Sequence, residues 1–438
     1  MPEILPFRGL RYNQKKVEMY DVVAPPYDVI SSQQQKRLYE RSPYNVVRLI
    51  LGREEDRYAS AASFLEQWKR EAVVSPDGEP SLYLLHQTFQ GRDDTTIVRK
   101  GMIALCRLEE FDKKIVLPHE KTLSKPREDR LRLMKSTGAN FSQIFSFYSD
   151  PEKKIDHHFN GTSKTAPIID VTYEDVQNQV WRISDPSVVQ AVQEELRSKQ
   201  VLIADGHHRY ETALEYREFM RSGNPGHTGN EPYNYVMMFF TNVDAEGLVI
   251  YPTHRLVHSL PSFDPARFLE AVSRHFIVRE FKDEEAALSA LESTSVPSFA
   301  VLMQGSPSIE MLSLRPASIP SEVVSDDVPD IVKQLDVTVL HSVILKDILG
   351  ISPEAQVQKK NLEYVRDSQE AFQAVLKGSA QLAFVMNATK IQQVRDVAVS
   401  GYTMPQKSTF FYPKLLSGLV INDMNAGGYQ ESRKSTRA

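Results

Sequence analysis

Residues 201–216, with the sequence VLIADGHHRYETALEY, constrain the fold of this chain more than any other stretch. The apolar run 201–204 is bounded by Asp205-Gly206, a pattern that predicts a short buried strand ending in a tight turn. Beyond the turn, apolar residues recur at helical spacing and charged residues fall largely on the other faces. The stretch therefore predicts a strand, a tight turn and a helix.

The turn itself carries residues suited to an anion. Gly206 leaves the first backbone N–H groups of the helix uncovered, and Arg209 supplies a charge that does not titrate. His207 and His208 complete the predicted phosphate-binding set. Asp205 is predicted to hold Mg²⁺ or to orient a substrate hydroxyl, because one carboxylate plus substrate phosphates is a usual magnesium arrangement. The alternative interpretation is that Asp205 only caps the helix and the histidines are surface residues.

A transition-metal site is a second interpretation of the same turn. His207 and Glu211 are four residues apart, and His208 precedes Glu211 by three, so either pair has the spacing of metal ligands on one helical face. Only one of the two adjacent imidazoles can point the same way as Glu211. A metal-dependent hydrolase that uses these residues is therefore an alternative function.

A second polar cluster lies at residues 119–130 and consists of His119, Glu120, Lys121, Lys125, Arg127 and Arg130. These residue types can deprotonate a hydroxyl and balance the charge on a transferring phosphoryl group. A dense charge run is also typical of a solvated helix face, and that interpretation stays open. Two further polar corners are ambiguous: Tyr27-Asp28, where an ordinary turn is favoured, and the segment 407–414.

The length of 438 residues predicts two lobes, since single cores stop growing at roughly 250 to 300 residues. We predict a first domain at 1–260, a second at 261–425 and a flexible tail at 426–438. A net charge of −5 argues against a dedicated nucleic-acid-binding protein. The partner is predicted to be a small-molecule substrate, and a homodimer is compatible with the sequence.

Cys106 is the single cysteine, which excludes a disulfide or a thiolate zinc cage within one chain. The first residues lack the apolar core of a signal peptide, and no run approaches the ~18 apolar residues of a membrane span. We therefore expect a cytoplasmic protein without membrane contact.

Periodicity along the chain predicts an α+β or α/β fold. The predicted helices are 56–71, one from Ser124 that ends at Gly138, 186–199, 265–275 and 332–349. The predicted strands are 82–89, 96–108, 143–148, 201–204, 235–241, 299–303, 311–314 and 382–386.

Several stretches together resemble the bacterial family called domain of unknown function 1015, and the resemblance covers nearly the whole chain. They are PFRGLRY at 6–12, APPYDVIS at 24–31, YNVVRLIL at 44–51, LPHEKTLSKPREDRLRL at 117–133, ADGHHRYETA at 204–213 and MPQKSTFFYPKLLSGLVI at 404–421.

The shorter element DGHHR at 205–209 also resembles the signature of the ParB/sulfiredoxin superfamily, in which a Gly-x-x-Arg turn before a helix binds nucleotide phosphates. Free-serine kinases of that superfamily carry an Asp-Gly-His start, as this chain does. Sulfiredoxins need a cysteine in the turn and ParB proteins bring a basic DNA-binding region after it, and this chain departs from both. The resemblance implies a ParB/sulfiredoxin-like nucleotide-binding lobe followed by a second mixed α/β lobe.

Together these observations predict a nucleotide-dependent kinase of a small, serine-like hydroxylated metabolite that uses ATP, ADP or CTP with Mg²⁺. The predicted phosphate ligands are Gly206, His207, His208 and Arg209, together with Lys121, Lys125 and Arg127. The predicted catalytic residues are Asp205, Glu120 and His119, with Asp205 also the candidate metal ligand. A nucleotide-sensing protein without turnover is the alternative from another class.

Overall fold

The structure is a computed structural model that describes residues 1–120, 122, 124–316, 324 and 328–426. It divides into two compact units. The first unit comprises Met1–Pro118, Thr122–Leu248 and the chain from Pro413 onward, and the second comprises His119–Lys121 and Val249–Tyr412.

The strands of the described chain are β1 (Ile4–Leu5), β2 (Leu10–Tyr12), β3 (Val74–Pro76), β4 (Leu82–Gln90), β5 (Thr96–Arg107), β6 (Val116–Leu117), β7 (Ala139–Asn140), β8 (Ile144–Tyr148), β9 (Ile169–Tyr173), β10 (Val176–Ile183), β11 (Val201–Asp205), β12 (Tyr235–Asn242), β13 (Val249–Tyr251), β14 (His254–Val257), β15 (Phe276–Phe281), β16 (Ser298–Met303), β17 (Ile309–Leu314), β18 (Leu362–Val365), β19 (Leu382–Met386), β20 (Phe410–Tyr412) and β21 (Asn422–Asp423).

The α-helices are α1 (Met19–Val22), α2 (Ser32–Arg41), α3 (Val47–Ile50), α4 (Arg57–Arg70), α5 (Ser124–Thr137), α6 (Lys154–His157), α7 (Pro186–Arg197), α8 (His207–Ser222), α9 (Pro265–Ser273), α10 (Glu284–Glu292), α11 (Asp330–Lys333), α12 (Asp336–Val339), α13 (Pro353–Val357), α14 (Ser368–Leu376) and α15 (Ile391–Val399), and a π-helix follows α12 at Leu340–Ile348.

The first unit is built on a mixed sheet with the order β6-β11-β8-β12-β5-β4-β10-β9, in which β1 also pairs with β5. The pairs β6–β11 and β8–β12 are parallel, whereas β4 and β5 form the predicted antiparallel hairpin. Alternate residues of β4 and β5 point into a core that α7 and α8 cover, because their apolar stripes need an apolar surface to pack against. A mixed α/β fold with a large sheet is thus confirmed.

Two predicted helices of the first unit form for the expected reasons. In α4, Asp56 caps the N-terminus by accepting from Ala59 N, and Ala61, Leu65 and Trp68 lie buried on one face. In α5, the chain leaves the helix at Gly138, whose φ of +60° is one that glycine adopts without steric cost.

The second unit contains an antiparallel sheet with the order β15-β17-β16-β19-β14-β18. Its β14 explains why the observed division differs from the predicted boundary at residue 260: the strand His254–Val257 pairs within the second sheet. The chain from Pro413 belongs to the first unit, whereas sequence order alone assigned residues up to 425 to the second domain.

The predicted helix 332–349 is interrupted rather than continuous. Short helices α11 and α12 are followed by the π-helix Leu340–Ile348. A π-helix has i→i+5 hydrogen bonds, and periodicity alone does not separate it from an α-helix. Among the described helices, none is long and apolar enough to cross a membrane.

Candidate functional site

The predicted strand, turn and helix are confirmed as β11 and α8, and they meet at Gly206. Gly206 has a φ of +96° and is the N-cap of the 16-residue helix α8, without a side-chain cap. A residue with a Cβ is strained at such a φ, so the turn requires glycine. The N-cap residue therefore has no side chain that could accept from the first N–H groups of α8, and the partial positive charge of the helix start favours an anion there.

Asp205, the residue before the N-cap Gly206, lies among cations. Arg209 Nη2 is 3.4 Å from Asp205 Oδ2, and Lys414 Nζ is 3.3 Å from the same oxygen. The guanidinium of Arg99, which is fully buried, also interacts electrostatically with this carboxylate. At least three cations therefore act on this one carboxylate at the start of α8.

Arg209 is held in place by the backbone. Its Nη1 donates to the carbonyl oxygen of Gln143 at 2.6 Å, and only 13% of its side chain is exposed. Its guanidinium lies against Gly206, where an added Cβ would come within 2.8 Å of Nη2. The turn thus presents a preoriented guanidinium next to the first N–H groups of a helix, an arrangement that suits a phosphate.

A small recess of about 50 Å³ opens beside Arg209 in the first unit. Its walls are largely apolar, and the polar groups that line it include Tyr27, Arg130, Thr212 and Ser142. The Arg130 guanidinium lies 4.0 Å from the centre of the Tyr27 ring. Burial raises the pKa of Tyr27 to about 12, although Arg130 and Arg209 act against the shift, so this phenol keeps its proton at neutral pH. The recess has room for a few water molecules or one small acid group.

Residues 4–338 match the family described as "Protein of unknown function (DUF1015)". The chain belongs to this family. No curated protein sequence matches this DUF1015 protein.

Three solved structures resemble the DUF1015 chain at low identity. A free serine kinase mutant in complex with AMP has a TM-score of 0.37 and 14% identity, and covers 71% of this chain and 87% of its own. A conserved hypothetical protein from Pyrococcus furiosus has a TM-score of 0.34 and 14% identity, with coverages of 72% and 92%. SbnI with a C-terminal truncation, from Staphylococcus aureus, has a TM-score of 0.36 and 8% identity, with coverages of 74% and 90%. Likeness at this level does not decide what the DUF1015 protein binds.

The other predicted phosphate ligands have different surroundings. His207 is buried and His208 half-buried in the first turn of α8, and their part in phosphate binding stays a prediction. Lys121 and the side chain of Lys125 lie outside the described residues. Arg127 pairs with Glu211 at 2.7 Å and with Glu215 at 3.5 Å. The hydrogen bond from Arg127 to Glu211 raises the pKa of the guanidinium, and these two carboxylates already balance its charge.

The surroundings of the turn do not favour metal ions. Glu211, the proposed hydrolase ligand, accepts from Thr122 at 2.5 Å and from Arg127, and no group of three potential metal ligands occurs among the described residues of this DUF1015 protein. Asp205 is already within 3.4 Å of two cations. A divalent cation at that carboxylate would meet their repulsion, so the donor set does not fit a Mg²⁺ ion held by Asp205.

His119 and Glu120 belong to the second unit, whereas Asp205 and Arg209 belong to the first. The His119 ring is fully buried, and its Nε2 lies 2.9 Å from Thr409 Oγ1. Glu120 Oε1 accepts from the backbone N–H groups of Ser408 and Thr409 at 3.2 and 3.4 Å. Within their own unit these two predicted catalytic residues thus hold the chain before β20.

The sequence pattern does not single out Arg99 or Gln143 as site residues, because both lie within predicted strands. The available signal was weak: Arg99 is a charged residue in a run that otherwise predicts a half-buried strand. Lys414 and Tyr27 were noted as polar corners without a role, and they lie at the edge of the turn and of the recess.

Proposed function

We propose that the first unit binds the phosphate groups of a nucleotide at the turn 205–209. The observation that carries this proposal is the group of cations around one carboxylate: Arg209 and Lys414 lie within 3.4 Å of Asp205, and the charge of buried Arg99 also acts on it. Since the start of α8, where glycine is the N-cap, adds a partial positive charge, the site suits a polyanion better than a neutral or cationic ligand.

We further propose that the bound nucleotide, ATP, ADP or CTP, is a phosphoryl donor to a small, serine-like hydroxylated metabolite. The acceptor oxygen attacks the terminal phosphorus, the bond from that phosphorus to the bridging oxygen breaks, and the shortened nucleotide leaves with the bridging electron pair. Asp205 takes the proton of the acceptor hydroxyl. Such a transfer asks the protein mainly for positioning and charge compensation, which Arg209 and Lys414 supply.

The recess beside Arg209 favours a small acceptor. Its apolar walls exclude a large polar group, and its two guanidiniums, Arg130 and Arg209, suit a single acid group. Asp129 already accepts from Arg57 at 2.5 Å and from Arg130. Although burial alone would raise the pKa of Asp129, these cations and Tyr58 hold that pKa below its usual value, so Asp129 stays charged and orients Arg130.

Isothermal titration calorimetry with AMP, ADP, ATP and CTP tests the binding proposal. Arg209→Ala and Lys414→Ala should each weaken binding by roughly 10- to 100-fold, since a hydrogen bond to a charged group contributes about 1.5 to 3 kcal/mol. Arg221→Ala is the matched control, because Arg221 is exposed in the last turn of the same helix. If no nucleotide binds the unaltered chain, the proposal fails.

A nucleotide sensor without turnover is the second candidate. The hydrogen bonds of Glu120 favour it, because this predicted catalytic carboxylate accepts from backbone N–H groups of the second unit. Phosphorus NMR of mixtures with serine and related hydroxylated compounds separates the two functions. The kinase predicts that Asp205→Asn lowers turnover by at least about 100-fold while nucleotide binding persists. If the unaltered chain binds nucleotide but forms no phosphorylated product from any acceptor, the sensor is favoured.

A further inference from the structure

A backbone turn in the second unit, Lys407-Ser408-Thr409, has the geometry of an anion-binding nest. Lys407 has a φ of +58°, and the next two N–H groups, those of Ser408 and Thr409, both point to one oxygen, Glu120 Oε1. The Thr409 hydroxyl donates to the same oxygen at 3.3 Å. Successive backbone N–H groups that converge in this way form a concave site for an anion.

The surrounding residues hold this turn in its conformation. A left-handed φ costs a lysine of order 1 kcal/mol, so the turn persists only where its neighbours fix it. Arg255 Nη2 donates to the Lys407 carbonyl oxygen at 2.9 Å, and Thr389 Oγ1 donates to the Ser408 carbonyl oxygen at 2.8 Å. The Ser408 hydroxyl donates to the Pro405 carbonyl oxygen at 2.5 Å. The three N–H and O–H donors therefore keep one common direction.

Buried charge next to the turn favours an anion there. Arg255 is fully buried, and within the described chain its Nε has no hydrogen-bond partner. Its other contacts among the described residues are the Thr253 carbonyl oxygen, His341 Nε2 at 3.4 Å and the Tyr364 ring, none of which is a carboxylate. Glu120 is the carboxylate that acts on Arg255. A buried guanidinium with so little negative charge around it stabilises a dianion more than a single carboxylate.

We propose that the turn 407–409 is a second phosphate-binding site, separate from the turn 205–209, and that Glu120 occupies it as a tethered competitor. The ligand class is a phosphate monoester, whose oxygens would accept from the N–H groups of Ser408 and Thr409 and from the Thr409 hydroxyl. On this proposal Glu120 is a gate to the site, and it is not the base of the reaction proposed for the first unit.

The experiment is a phosphorus NMR titration of the full chain with inorganic phosphate, in a buffer free of other oxyanions. Glu120→Ala should bind phosphate at least about tenfold more tightly than the unaltered chain, because a tethered carboxylate competes at an effective concentration on the order of millimolar. Glu120→Gln keeps an acceptor oxygen without the charge and should give an intermediate affinity. The matched control is Glu363→Gln, an exposed glutamate of the same unit, which should bind like the unaltered chain.

A second substitution in the Glu120→Ala chain tests which residues produce the gain in phosphate affinity. Adding Thr409→Val to Glu120→Ala should abolish the gain, since the hydroxyl donor is lost. Adding Arg209→Ala should leave the gain intact, because Arg209 belongs to the other proposed site, so failure here and failure of the proposed nucleotide site are distinguishable. Near-ultraviolet circular dichroism checks that each variant is folded; if Glu120→Ala is not, Glu120→Gln and its combination with Thr409→Val decide.

Two results would overturn the proposal. One is equal phosphate affinity of Glu120→Ala, Glu120→Gln and the unaltered chain. The other is a gain that survives Thr409→Val. A parallel titration with acetate, a single-charge carboxylate, should show less than a third of the gain seen with phosphate, and an equal gain would contradict the preference for a phosphate.

Discussion

Among the described residues, each of the two units buries one arginine completely, and the two arginines have different hydrogen-bond partners. Arg99 of the first unit donates from Nε to the Gln87 side-chain oxygen at 3.2 Å, and its guanidinium lies 4.5 Å from the centre of the Phe145 ring. Arg255 of the second unit donates to backbone oxygens and contacts the ring of His341. Burial lowers the pKa of Arg99 to about 9 and that of Arg255 to about 10, so both stay charged at neutral pH.

The two guanidinium groups differ in how completely their N–H groups are hydrogen-bonded. Gln87 is itself buried and donates to Asn178 at 2.8 Å, so Arg99 is part of a closed polar network whose charge acts on Asp205. Arg255 keeps an Nε without a partner in the described chain. A satisfied buried network makes an arrangement rigid, whereas a buried cation with spare capacity favours a nearby anion. Arg99 therefore belongs to a satisfied hydrogen-bond network, whereas Arg255 retains an Nε–H that could donate to an anion.

The largest expected effect is that of Arg99→Met. The substitution leaves the Gln87 oxygen and the Pro413 carbonyl oxygen without their donor in a buried network, so it should lower the free energy of unfolding by about 4 kcal/mol. Both tryptophans, Trp68 and Trp181, lie in the first unit, so urea unfolding followed by tryptophan fluorescence measures the effect there. Arg70→Met, at an exposed arginine, is the control. A loss under 1 kcal/mol would show that the network does not depend on its charge.

Arg255→Met should cost less, about 2 kcal/mol, because the charge it removes was incompletely paired. Far-ultraviolet circular dichroism should register this loss, since the second unit contains no tryptophan. An equal loss of unfolding free energy in Arg255→Met and Arg99→Met would contradict the difference between the two arginines. An equal shift of the tryptophan transition would show that the two units unfold together.

Acid should act on the contact between His341 and Arg255. Burial, and then the Arg255 charge, lower the pKa of His341 to about 3, whereas the imidazole of the unfolded chain titrates near 6.5. Between these two pKa values the imidazole of His341 binds a proton in the unfolded state but not in the folded state. The free energy of unfolding therefore falls as the pH drops from about 6.5 towards 3. At pH 5.5 the loss is about 1.4 kcal/mol.

His341→Gln should remove that part of the acid sensitivity, since glutamine keeps an acceptor but does not titrate. Urea unfolding at pH 7.5 and 5.5, followed by circular dichroism, measures it, with His157→Gln as the exposed control. An unchanged difference between the two pH values would mean that His341 takes up its proton without cost to the fold.

The smallest expected effect is that of Lys407→Gly. Glycine adopts a φ near +58° without steric cost, so relief of strain should exceed the extra backbone entropy and raise the free energy of unfolding by about 0.5 kcal/mol. Differential scanning calorimetry measures the change, and Lys377→Gly is a control at an exposed lysine with a negative φ. A loss of stability instead would assign the Lys407 ammonium a contact that outweighs the strain.

Local sequence predicted much of what is local in the structure. The strand and helix around Gly206 follow from apolar periodicity over a few residues, and the glycine follows from the turn that joins them. The hairpin of β4 and β5 and the end of α5 at Gly138 follow from the same rules. The family membership was predicted from six stretches, and five of them lie within the matched residues 4–338.

Local sequence did not predict which charged side chains form ion pairs with one another. Lys121, Lys125 and Arg127 were grouped with Arg209 because all are basic, yet Arg127 instead pairs with Glu211 and Glu215. Lys414 comes from the far end of the chain to lie beside Asp205. Sheet topology and the return of the chain after Tyr412 decide these pairings, and neither leaves a signal within a window of a few residues.

The sequence by itself thus determined the strand, the glycine turn and the helix at residues 201–222, because backbone conformation and helix start depend on neighbouring residues. Tertiary structure alone decided that Asp205 faces cations, that Glu120 fills the turn 407–409, and that Arg99 and Arg255 lie buried. The physical reason is that the energy of a charge depends on the dielectric and on the partners around it, and both are set by residues distant in the chain.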